Sequence, residues 1–95
     1  MTADEALRIA RAAAEANRLK YSPIHAPQRM QERLATQADV RQAVLTSDVA
    51  FPSGDGPNRW QLCGGGDLDD CELRVVVAID DNDEVTVTVI TVFPP

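Results

Sequence analysis

His25, Arg29 and Arg33 stand four residues apart in YSPIHAPQRMQER, residues 21–33, and His25 is the sole histidine of the chain. On a continuous helix that spacing lines the three side chains along one slanted stripe. A helix N-terminus and two neighbouring cations both favour the neutral form of an imidazole. A neutral imidazole accepts a proton, while guanidinium groups grip a phosphate through paired hydrogen bonds and stabilise the charge that develops on it. Such a set suits RNA phosphodiester cleavage, with a base for the 2′-hydroxyl and arginines for the phosphate. The same residues also have a structural reading. A histidine at a helix start commonly caps or packs, and helix arginines commonly pair with carboxylates such as Glu32 and Asp39. Spacing by itself leans toward structure.

The elements that must position these residues fall into two parts of one domain spanning residues 1–95, helical over about 2–46 and sheet over about 48–93. Thr2 and Glu5 have capping-box spacing, and an alanine-rich helix with an apolar stripe of Leu7, Ile9, Ala10, Ala13 and Ala16 should follow. Tyr-Ser-Pro interrupts it, because the residue before a proline is pushed out of the helical region. Pro27 would cost a helix begun at Pro23 a hydrogen bond, so the second helix is expected to start near Pro27 and to end near Leu34. Thr36 to Asp39 gives another capping signal, opening a third short helix.

Beyond Ser47 the hydrophobic period changes. Residues 48–53, 58–64, 72–80 and 84–93 read as four strands separated by the turns GDGPN, GGGDLDD and DDND. Short connections imply antiparallel neighbours. Leu73, Val75, Val77 and Ile79 share one side, and an odd-numbered connection would bring Val85, Val87 and Val89 onto it. Thr86, Thr88 and Arg74 then face the other way, and strict alternation leaves Thr91 on the valine side. The expected fold is α+β, with N-terminal helices packed on one face of a four-stranded antiparallel sheet.

Charge is divided unevenly. Residues 1–45 carry seven basic side chains against five acidic, whereas residues 46–95 carry only Arg59 and Arg74 against ten acidic. The net charge of -6 disfavours indiscriminate nucleic-acid binding but leaves room for a local basic patch. No run is long and apolar enough for a membrane helix, and the charged start MTADEALRIAR does not read as a secretory leader. A bacterial-type cytoplasmic protein is expected, with no membrane partner. Cys63 and Cys71 flank GGGDLDD and can meet across a hairpin, but in a reducing compartment free thiols are the commoner outcome. One histidine and one cysteine pair do not make a structural metal set. CGGGDL lacks the Lys-Ser/Thr of a phosphate loop, and the acidic turns lack a calcium ligand ladder, so neither a cofactor nor a metal is expected.

The ordered segments YSPIHAPQRMQER, TQADVRQAV, RWQLCG, ELRVVVAI and VTVITVF resemble the bacterial domain-of-unknown-function family 4258. That resemblance implies a fold akin to the RelE, barnase and colicin ribonuclease group, found in toxin–antitoxin settings. It implies His25 as general base, Arg29 and Arg33 as phosphate contacts, Arg59 entering from the sheet, and Thr91 near the substrate. Leu34 stands where the family commonly has glycine, and Phe93 where it commonly has tyrosine. RNA and a cognate antitoxin are the implied partners. The alternative is a non-catalytic module of the same fold that binds a basic protein through its acidic sheet edge.

Overall fold

The computed structural model describes residues 1–23, 26–32, 35–54, 56, 58–81 and 84–95. The first helix, α1, spans Ala3–Glu15, and the Thr2 side chain accepts a hydrogen bond from the Glu5 N–H. Its inward stripe is Ala6, Ala10 and Ala14, all fully buried. Leu7, Ile9 and Ala13 only flank that stripe, and Ala16 is exposed. Alanine at every fourth residue lets the helix backbone lie close to what it covers, so the bulkier side chains wedge at the margins. Asn17 then takes a left-handed conformation (φ 57°) that ends the helix.

A short strand follows, β1 at Leu19–Tyr21, which the sequence reading passed over. Three residues are too few to display a period of two, and the strand forms because it can lie parallel to the last one. The helix α2 spans Ala26–Glu32, so the expected late start near Pro27 holds, while its expected end near Leu34 lies outside the described residues. Proline is tolerated there because an N–H in the first turn has no helical partner to lose. The third helix, α3, spans Gln37–Thr46 and opens with a full capping box between Thr36 and Asp39. Arg41 extends from α3 to the end of α1, where its Nε donates to the Ala14 carbonyl at 2.7 Å. That carbonyl, in the last turn of α1, also accepts from the Asn17 N–H, so the arginine adds a second donor to it.

The remaining strands are β2 (Val49–Pro52), β3 (Arg59–Cys63), β4 (Arg74–Asp80) and β5 (Thr86–Phe93). The sheet is five-stranded and mixed, in the order β1-β5-β4-β3-β2, with β1 the parallel member. This corrects the expectation of four antiparallel strands. The three helices cover one face. Ala6, Ala10, Ala26, Val40, Ala43 and Val44 share a core with Trp60, Leu62, Val75, Val77, Ile79, Val87, Val89 and Val92. The glycines between β3 and β4 permit close approach. Gly64 adopts φ 87°, and a Cβ on Gly65 would collide with the Ala43 carbonyl of α3. Cys63 and Cys71 are both free thiols, the first buried and the second exposed.

Candidate functional site: the open face of the sheet

Pairing across β4 and β5 sets the valines together as expected, Val77 opposite Val89 and Ile79 opposite Val87. The alternation then breaks. Val76 pairs with Thr91 while Val77 pairs with Val89, leaving Ile90 as the extra residue of a β-bulge. The bulge reverses the phase of the strand end, so Val92 enters the core and Thr91 turns to the opposite side with Thr86 and Thr88. The expectation that Thr91 shares the valine face is therefore corrected. One inserted residue does it.

On the side away from the helices, register aligns rows of side chains across the strands. Phe51, Gln61, Val76 and Thr91 form one row. Arg59, Ala78, Thr88 and Lys20 form another. Arg74 faces Phe93 on β5. Gln61 donates from Nε2 to the Cys63 sulfur at 3.4 Å, a contact within this face. Val76 and Cys63 are buried yet belong to no part of the core under the helices, so the long polar side chains around them form a second, thin layer.

Electrostatics single out this face. Arg59 and Arg74 are the whole basic content of the acidic half, and both lie on it with Lys20. Among the described carboxylates of that half, only Asp80 belongs to a named strand. Several are spent on turn structure. Asp67 accepts from the N–H groups of Asp69 and Cys71. On the helical side, Asp39 accepts from the N–H groups of Thr36 and Leu68, which hold its carboxyl below the usual carboxylate range. Burial pushes the Tyr21 hydroxyl up, and that hydroxyl donates to the Gln37 carbonyl.

Of the five residues singled out by sequence, His25 and Arg33 lie outside the described residues. Arg29 sits on α2, next to the inward-packed Met30, and binds Glu32 at 3.0 Å with about half of each side chain exposed. A pair so exposed is worth about 0.5 kcal/mol or less, so a phosphate can displace the carboxylate. Arg59 and Thr91 share the open face, about 12 Å apart between backbones by strand spacing and rise. The Arg59 side chain runs beside Gly56, where a Cβ would come within 3.4 Å of its Cγ. Ser22, just before the undescribed pair at residues 24 and 25, is tied by its N–H to the Val89 carbonyl at 2.8 Å. Ala26, just after, is fully buried. Sequence reasoning left Arg74, Gln61 and Phe93 out of the site. For Arg74 a signal existed, namely its rarity as a cation in an acidic stretch.

A family profile described as a domain of unknown function, DUF4258, matches residues 24–94, about three quarters of the chain. The chain belongs to the DUF4258 family. The matched span begins next to His25, takes in α2, α3 and strands β2 to β5, and so contains all five residues singled out by sequence. No curated protein and no solved structure matches the chain. Among the described residues, no group of three His, Cys, Asp or Glu side chains is placed to hold a metal ion, and no helix is long and apolar enough to cross a membrane.

Proposed function

We propose that this DUF4258 domain is a toxin-like endoribonuclease of the RelE, barnase and colicin fold group, acting in the cytoplasm without a metal. In this reading His25 removes the proton from a ribose 2′-hydroxyl. The oxygen attacks the adjacent phosphorus, the bond to the 5′-oxygen breaks, and that oxygen takes a proton from water, leaving a cyclic phosphate and a 5′-hydroxyl end. Arg29 and Arg33 stabilise the charge gathering on the phosphate oxygens, while Arg59 and Thr91 hold the strand on the sheet.

The observation that carries the reading is the gathering of Arg59, Arg74, Thr88, Thr91 and Gln61 on one open face of an otherwise acidic half. A broad face of polar rows suits an extended polymer better than a small molecule, which wants a concave pocket. A cavity of about 500 Å³ lies at the other end of β5 and is lined by Arg18, Leu19, Lys20, Glu84, Val85 and Thr86.

A second reading rests on the free edge. Val49 and Phe51 of β2 are 38% and 52% exposed, and they suit a protein partner such as an antitoxin, or a basic protein drawn by the acidic turns. RNA incubated with the purified protein in chelator discriminates between them. The nuclease reading expects cleavage that His25→Ala lowers by about a hundredfold or more while thermal unfolding is unchanged. Equal cleavage by both proteins, or none by either, rejects it.

A further inference from the structure

Arg74 opens β4, and its Nε is the one buried side-chain nitrogen or oxygen without a hydrogen-bond partner among the described residues. A buried donor on a cationic group is costly to leave unpaired. Its neighbours on the open face are apolar: Phe93 directly across on β5 and Val76 two residues on. Glu72 comes two residues earlier in the chain, yet Arg74 makes no salt bridge among the described residues. Among the described residues, then, this cation has no counter-charge, unlike Arg29 on α2.

Phe93 adds a second, independent observation. It is half-buried, stands outside the core under the helices, and pairs with Arg74 across the two strands, on the same face. Without a hydroxyl it moves no proton. What a ring in this place offers is a stacking surface for a base. Between backbones, Arg59 lies about 14 Å from Arg74 by strand spacing and rise. The two arginines mark separate points on one strand.

We propose that Arg74 and Phe93 form a nucleotide subsite at the β4–β5 end of the sheet, Phe93 stacking a base and Arg74 binding the adjoining phosphate of single-stranded RNA. This rests on the RNA reading above and extends it beyond Arg59 and Thr91. The subsite holds substrate and takes no part in bond breaking, so it is measured by binding.

The probe is a short, fluorescently labelled 2′-O-methyl RNA, which cannot be cut through its 2′-oxygen, titrated at several salt concentrations. Arg74→Gln should weaken binding about tenfold and reduce the slope of log affinity against log salt by about 0.7, the share of one phosphate contact on a single strand. Arg74→Lys should restore the slope, because charge and not shape sets counterion release. Phe93→Leu should weaken binding about fivefold or more with the slope unchanged. Thermal unfolding of each variant separates lost contacts from lost fold. If the parent protein binds and Arg74→Gln binds equally well with the same slope, the subsite is wrong and the RNA reading stands. If the parent does not bind the oligonucleotide, both fall.

Discussion

The two faces of the sheet are built from the same strands and do opposite things. Beneath the helices, Leu62, Val75, Val77, Val87, Val89 and Val92 are fully buried and carry no polar atom to satisfy. On the other side, the residues between them are Gln61, Arg74, Val76, Thr88 and Thr91, and most are part-exposed. The first face obeys the cooperative logic of a close-packed core, where a missing methylene is felt at once. The second consists of long side chains lying over a thin apolar floor, where a change of charge costs little stability. Freedom from packing is what allows cations to collect there. The contrast teaches that the bulge at Ile90 is a device of placement: it keeps Val92 in the core and turns Thr91 outward in the same short stretch.

The sharpest way to break this comparison is on the core side. Leu62→Ala should cost about 2–5 kcal/mol, read by urea denaturation, because the site is fully enclosed. Thr91→Val on the open face should change stability by only about 0.5 kcal/mol yet lower RNA binding or cleavage. If Thr91→Val destabilises as much as Leu62→Ala, the two faces are not distinct. A smaller effect is expected where α3 begins. Thr36→Ala removes the capping hydroxyl and should cost about 1 kcal/mol.

The pH dependence of the same element has a defined sign. The Asp39 carboxyl is held below its unfolded value by the Thr36 and Leu68 N–H groups. Its stabilisation is therefore complete above the ordinary carboxylate pKa, about 3.9, and is lost as pH falls through the lowered folded value. Asp39→Asn should flatten the acid limb of a stability-against-pH curve and leave the neutral limb parallel. The smallest effect concerns Arg29. Glu32→Gln releases its guanidinium from the 3.0 Å pair, and stability should shift by about 0.5 kcal/mol or less while affinity for RNA rises.

Much of this architecture is legible in the residues, and the gaps have physical causes. Caps at Thr2 and Thr36 are local chemistry, readable without tertiary context. The facing of Val77 and Val89 follows from alternation, which any strand shows. The strand β1 is invisible because its three residues gain their form from Val87, Thr88 and Val89, almost seventy positions away. Alternation puts Thr91 on the wrong side because a bulge is an interruption of period, and Val-Ile-Thr-Val contains nothing that marks which residue is the extra one. The inward alanines of α1 were blurred by Leu7 and Ile9, since hydrophobicity predicts burial but close approach selects for small size. Within the candidate site, Arg59 could be named only by family resemblance, and Arg74 gained meaning from what the sheet sets beside it.

Mapping where RNA touches the protein tests the division of faces most directly. Backbone amide NMR shifts would be followed as a 2′-O-methyl RNA is added to the isotopically labelled protein. The account predicts changes at Arg59, Gln61, Arg74, Thr88, Thr91 and Phe93 and around His25, Arg29 and Arg33, with Asp67 to Cys71 and the outer side of α1 unmoved. Changes centred on the acidic turns, or none at saturating RNA, would contradict it.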